Sequence, residues 1–203
     1  MERVVTGHQI NFLPGLSVFN KIAAADVVVW MDEMQYERHG WVNRNRFEDG
    51  TMMTVPVAEH DTYAPINRVR IGDPTGRGRE KIARTLEHRF GELAKPYAAV
   101  LRTPFERLVG LNAALLRVLL PALNVNVEEH YQSHLGAGRY EVTSNGLAEM
   151  VAEVGGTVWL SGPSGRRYLD EEPFTERGIE VRYWEHEGAN HSAIELLRDK
   201  VAA

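Results

Sequence analysis

Cysteine is absent from this 203-residue chain. Its absence excludes disulfides, a thiolate nucleophile and every zinc site built on cysteine ligands. His8, the first histidine, has no second imidazole at the HxxxH or HExxH spacing, so a metal held by His8, Asp32 and Glu33 lacks a recognisable signature. No apolar run is long enough to span a bilayer, and Met1-Glu2-Arg3 leads straight into a short strand rather than a secretory leader. A cytoplasmic protein with no membrane partner is the expectation. An excess of positive charge is lacking too: the net charge of −5 argues against a general nucleic-acid surface. Phosphate-loop chemistry is missing as well, since Gly72 to Arg79 (GDPTGRGR) does not have the GxxxxGK[ST] spacing and follows no buried strand.

With 43% hydrophobic and 25% charged residues, the composition is that of a soluble globular protein. Its length predicts a single domain over residues 1–203, large enough to bury a full core.

The residues able to do chemistry crowd into the first quarter of the chain. Val4-Val5 open a short strand that ends near Thr6-Gly7, which places His8 and Gln9 at a strand mouth. Pro14 suits a first helical turn, and Leu16, Phe19, Ile22 and Ala23 recur at helical spacing. After Asp26, the run Val27-Val28-Val29-Trp30-Met31 reads as a strand buried on both faces, with Asp32-Glu33 at its end. Two adjacent strands thus deliver His8, Gln9, Asp32 and Glu33 to one edge, where open α/β sheets bind ligands. The following segment holds Gln35, Tyr36, Trp41, Asn43, Arg44, Asn45 and Arg46 without regular periodicity. It is too polar for core and too aromatic for a plain linker.

Further along, Thr51–Val57 and Asn67–Ile71 read as strands, Glu80–Leu93 as a helix closed by Pro96, and Thr103-Pro104 as the cap and first turn of the most periodic helix. Asn112 lies on that helix's apolar stripe, where a buried amide needs a partner: a backbone carbonyl or a ligand. Asn126–Ser133 is a further strand candidate. A helix capped by Thr143 or Ser144 and stopped at Gly155-Gly156 precedes the strand Thr157–Leu160, which runs into the turn Ser161-Gly162-Pro163-Ser164-Gly165. No GxSxG pattern surrounds Ser161, so the turn offers hydrogen bonds from N–H groups and hydroxyls, or serves only as a turn. Ile179–Trp184 is a last strand, and Ser192–Val201 a closing helix. Interleaved helices and strands predict a layered α/β fold with a mostly parallel, Rossmann-like sheet flanked by helices.

His8 is the first candidate for general acid–base work, and Asp32 on the neighbouring strand can accept its other ring N–H. Lys21 either projects toward the site or is a solvated surface lysine. Arg44 and Arg46 can hold a carboxylate or phosphate, with Asn43 and Asn45 adding amide hydrogen bonds, although in an extended segment Asn and Arg point to opposite sides. A small anionic ligand fits this pattern. Alternatively the polar residues satisfy buried backbone groups and stitch the loop down.

The series His8-Gln9-x-Asn11-x-Leu13-Pro14, Phe19-Asn20-Lys21-Ile22, Ala25-Asp26, Asp32, Gln35-Tyr36 and Trp41-x-Asn43-Arg44-Asn45-Arg46 resembles the signature of the WbqC-like protein family, and Leu160-Ser161-Gly162, Gly165, Tyr168-Leu169, Phe174 and Gly178-Ile179 continue it. Ile10, Gly15 and Glu33 depart from the usual proline, tryptophan and aspartate, and the segment before His191 is shortened. The resemblance implies work in surface-polysaccharide or natural-product biosynthesis: acyl or aminoacyl transfer (amide formation) to an amine of an amino sugar or amino acid. It names no cofactor and no oligomeric state. In that role His8 and Asp32 act as base and orienting carboxylate, Gln9 and Asn11 hold the reacting carbonyl, and Lys21, Gln35, Tyr36, Trp41, Asn43, Arg44, Asn45, Arg46, Ser161 and Gly162 bind substrate. The alternative is a non-catalytic small-ligand-binding or accessory protein serving a partner enzyme. The opening also resembles that of the pantothenate synthetases, ATP-using amide-forming ligases, but their HxGH motif is absent at Leu13–Ser17.

Overall fold

A computed structural model of the chain describes residues 1–59, 63–136, 143–185 and 191–198. Its contacts fall into two compact units. The first comprises Met1–Gln9, Ser17–Met34 and Asn126–Gly188; the second comprises Ile10–Leu16, Gln35–Val125 and Ala189–Ala203.

The first unit is a five-stranded, all-parallel sheet, so the layered α/β architecture holds. Its strands are β1 (Val4–His8), β2 (Val27–Trp30), β5 (Glu128–Tyr131), β6 (Val158–Ser161) and β7 (Glu180–Tyr183), in the spatial order β5-β2-β1-β6-β7. Winding runs outward from β1 through β2 to β5, then restarts on the other side of β1 with β6 and β7. The switch point therefore lies between β1 and β6, where register pairs Val4 with Val158 and Thr6 with Leu160. All four residues of β2 are buried, which is why its sequence is a continuous apolar run instead of an alternation.

Helix α1 (Leu16–Ala23) connects β1 to β2, and helices α5 (Ser144–Glu153) and α6 (Glu172–Thr175) precede β6 and β7. The Thr143 hydroxyl caps α5 by accepting from the Gly146 amide at 3.1 Å. Leu147, Ala148, Met150 and Val151 of that helix share one core with Val5, Val27, Val29, Met31, Trp159 and Phe174. Complete burial of each larger apolar side chain contributes roughly 1.5–3 kcal/mol relative to exposure. Trp159 and Phe174 stack with centroids 6.3 Å apart.

The second unit contains the antiparallel pair β3 (Arg44–Arg46) and β4 (Met52–Thr54) and the helices α2 (Arg77–Phe90), α3 (Lys95–Arg102) and α4 (Leu108–Ala122). Leu108, Leu111, Leu115, Leu116 and Leu119 form the buried stripe of α4. Asn112, on the same stripe, donates to the Ile10 carbonyl at 2.7 Å and to the Val42 carbonyl at 2.8 Å.

Several element boundaries differ from those predicted. The expected strand Asn67–Ile71 begins as a 3-10 turn over Ile66–Arg68 and makes only isolated bridges at Arg70 and Ile71, because the Arg68 and Val69 amides bond back to Pro65 and Ile66. Pro96 does not close a helix; it sits in the first turn of α3, where a missing N–H costs nothing. Thr103 ends α3, with its hydroxyl donating to the Ala99 carbonyl, and α4 starts only after Arg107. The closing segment starts as a 3-10 turn, Ala193–Leu196, and is α-helical at Leu197 and Arg198; residues 199–201 of the expected helix lie outside those described.

Candidate functional site

At the carboxyl ends of β1 and β6 the first unit holds a pocket of about 340 Å³, at the small end of the range for small-molecule sites. Of the residues selected from sequence, His8, Gln9, Lys21, Ser161 and Gly162 line it. The β-strand ends carry His8 and Ser161 to the same mouth, because β1 and β6 are hydrogen-bonded neighbours.

The His8 imidazole has a defined orientation. Its Nδ1 lies 3.0 Å from the Gln9 carbonyl oxygen. A carbonyl can only accept, so Nδ1 carries the proton and Nε2 keeps its lone pair. Burial first, and the nearby Lys21 ammonium second, push this imidazole down to about 4, against a smaller opposing effect of the Gln9 hydrogen bond. At neutral pH His8 is therefore uncharged and available as a proton acceptor.

Lys21 is buried, with 6% of its surface exposed, and its Nζ donates to the Gly7 carbonyl at 3.0 Å. Burial lowers its ammonium to about 8. It is not a solvated surface lysine. Among the described residues that line the pocket it is the one lysine or arginine, and no aspartate or glutamate lines the pocket with it.

Apolar side chains form the rest of the wall, and sequence reading had passed over them. Met31 and Met34 come from the end of β2, Leu147 from α5, Trp159 from β6, and Tyr168 and Trp184 from the segments following β6 and β7. The signal was present: period-two alternation in Val158-Trp159-Leu160-Ser161 puts Trp159 on the face of Ser161, one step from the mouth. Gly7 joins the two halves. A Cβ there would meet Trp159 Cη2 at 2.8 Å and Met31 Sδ at 3.4 Å, while its carbonyl receives Lys21. The Ser161 hydroxyl donates to the Gly162 carbonyl at 3.3 Å, a long bond that a better acceptor can replace.

Asp32 does not orient His8. Its Oδ1 accepts from the Ser133 amide at 3.0 Å and its Oδ2 from the Ser133 hydroxyl at 2.6 Å, so the carboxylate ties the end of β2 to the segment after β5. The Gln9 carbonyl has the position at Nδ1 that a carboxylate was expected to fill.

The remaining selected residues belong to the second unit. Asn43 and Asn45 are buried and donate to the Val55 and Leu13 carbonyls at 2.9 and 2.6 Å. The two arginines alternate with them toward the outside. Arg44 donates to the Gly40 and His39 carbonyls, and the Arg44 and Arg46 guanidinium groups lie 5.8 and 5.9 Å from the Trp41 ring centroid. Tyr36 is buried, and burial raises its hydroxyl above the usual range. Gln35 is exposed and bridges to Pro65. Asn11 is buried with its Oδ1 unpartnered among the described residues. No group of three or more His, Asp or Glu side chains suited to a metal ion occurs among the described residues, and no described helix is long and apolar enough to cross a membrane.

Comparison with known proteins agrees with the motif series. An uncharacterized protein of Mycobacterium tuberculosis (strain ATCC 25618 / H37Rv), Rv1507c, is 29% identical over 192 residues, covering 89% of this chain and 81% of the relative. No solved structure matches. The model of the WbqC-like protein family matches residues 9–193, and the chain therefore belongs to the WbqC-like family.

Proposed function

We propose that the protein is a small-molecule biosynthetic enzyme that transfers an acyl or aminoacyl group to an amine, forming an amide on an amino sugar or amino acid in polysaccharide or natural-product assembly. The observation that carries this reading is the neutral, tautomerically fixed imidazole of His8 beside a buried cation at the sheet's switch point. As the amine nitrogen attacks the acyl carbon, the N–C bond forms and the nitrogen becomes cationic and strongly acidic. Even a weakly basic imidazole then takes its proton on Nε2. Collapse of the tetrahedral centre breaks the bond to the leaving group, which receives that proton as it departs. Lys21 holds an anionic part of a substrate beside the reacting centre. Ser161 and Gln9 supply hydrogen bonds at the same mouth.

The test is a turnover assay over acyl thioesters, ATP with free acids, and nucleotide-linked amino sugars, each screened first for a thermal shift. His8→Gln preserves size and polarity but removes the basic nitrogen. Loss of turnover by about a hundredfold or more, with the melting temperature kept, is expected for a general base. Undiminished turnover in His8→Gln refutes the assignment. Ligand binding that survives the substitution, with activity appearing only when a partner enzyme is added, supports the accessory-protein alternative instead.

A further inference from the structure

The two halves of the pocket meet across Gly7, and together they describe one kind of molecule. On one side its carbonyl receives the Lys21 ammonium. On the other, its Cα faces the Trp159 ring and the Met31 sulfur closely enough that a methyl group would not fit. His8 follows directly along the strand.

Among the described residues no carboxylate pairs with the buried Lys21 ammonium; an unpaired buried charge is costly, and its natural complement is an anionic ligand group. The number of available charges narrows the choice. No guanidinium and no second lysine lines the pocket among the described residues, which suits a monoanionic carboxylate better than a phosphate, whose extra charge and three oxygens want several donors. The thioether and aromatic wall of Met31, Met34, Leu147 and Trp159 suits an apolar side chain. The reacting amine must arrive uncharged in order to attack, and the pocket matches that need: no described acidic residue lines it to hold an ammonium, while His8 Nε2 offers a neutral acceptor.

The geometry points to an α-amino acid with a large apolar or aromatic side chain as the acceptor substrate, its carboxylate on Lys21, its amine at His8 Nε2 and its side chain against Trp159 and the two methionines. This assignment rests on the transfer reading for the role of the amine, but it is tested by binding alone. An amino sugar, the other acceptor open to that reading, lacks the apolar arm and, unless it is a uronic or nonulosonic acid, the carboxylate as well.

Isothermal titration calorimetry on the 203-residue chain, with L-phenylalanine and L-leucine as probes, reads the proposal directly. Three analogues each delete one contact: L-phenylalaninamide lacks the carboxylate, glycine lacks the side chain, and 3-phenylpropanoate lacks the amine. Amide and glycine are each expected to bind at least about tenfold more weakly than L-phenylalanine, since a charge-assisted hydrogen bond and a buried aromatic ring are each worth that much. Lys21→Met is expected to abolish the difference between acid and amide. Because Lys21 is buried and its variant can fail to fold, Gly162→Val provides a second perturbation. Gly162 lines the pocket, has φ −71° and ψ 165°, and a Cβ there meets nothing within 4 Å, so added bulk weakens binding without strain. Equal affinity for acid and amide, equal affinity for glycine and L-phenylalanine, or no binding of either probe overturns the proposal. Loss of turnover in His8→Gln with amino-acid binding intact upholds both readings. Tight amino-acid binding with full turnover in that variant sinks the base assignment and leaves the acceptor assignment standing.

Discussion

Acidification from pH 7 to pH 5 is expected to remove about 2 kcal/mol of folding stability through His8 alone. In the unfolded chain its imidazole titrates at the ordinary value of 6.5, whereas burial and the Lys21 ammonium hold it at about 4 in the folded protein. Between these values the unfolded state binds the extra proton, so stability rises with pH across that window. The contribution is complete above 6.5 and disappears as pH falls through 4. The full span, about 2.5 units at 1.36 kcal/mol each, comes to roughly 3 kcal/mol, of which about two thirds has been lost at pH 5. Carboxylates also begin to titrate near the lower end, so the measurement is a difference. Urea denaturation of the wild type and of His8→Gln at half-unit steps from pH 4.5 to 7.5 isolates the histidine. The wild-type curve should fall more steeply by up to about 1.4 kcal/mol per pH unit. Parallel curves refute the claim that a neutral, desolvated imidazole sits at the end of β1.

Lys21 acts with the same sign on the alkaline side. Its ammonium is lowered from 10.5 to about 8, so stability should rise between pH 8 and pH 10.5 in the wild type and stay flat in Lys21→Met, read by the same denaturation series. Asn112→Leu leaves the Ile10 and Val42 carbonyls without their donor, and a loss of about 2–4 kcal/mol by urea titration is expected; a change below 0.5 kcal/mol contradicts it. Gly7→Ala drives a methyl group to 2.8 Å from the Trp159 ring, and should cost about 1–3 kcal/mol while weakening binding in the pocket. Asp32→Asn should lower stability through Ser133 and yet leave the His8 titration, followed by NMR of the imidazole carbons, where it was.

The sheet was legible because its physics is local. Four apolar residues in a row at Val27–Trp30 announce a strand covered on both sides, and a short apolar run ending in Gly7-His8 announces a strand mouth. The end of each strand follows from where its apolar run stops. Which polar group answers which was not legible, because partners are chosen in three dimensions. Asp32 stands one strand away from His8, but Ser133, 101 residues later, offers it two donors. His8 is instead held by its immediate neighbour's carbonyl, a bond that no side-chain motif reveals. Pro96 and Thr103 illustrate the same limit at a smaller scale. Both residues are at home at a helix start or beyond a helix end, and only the packing of α3 decides between those roles. The apolar wall escaped because Met31 and Trp159 read as core, which they also are.

The order of the strands has a consequence for how the chain reaches its native state on the ribosome. Thr6 finds the Leu160 carbonyl 154 residues downstream, and Asp32 waits for Ser133. Strands β1 and β2 can meet early, but each lacks its outer neighbour until most of the polypeptide has emerged. Pairings that close such long loops form slowly and leave strand edges open to wrong association in the meantime. Expression at low temperature or with chaperones should therefore raise the soluble yield, and a fragment ending before Ser161 has no finished binding mouth to display.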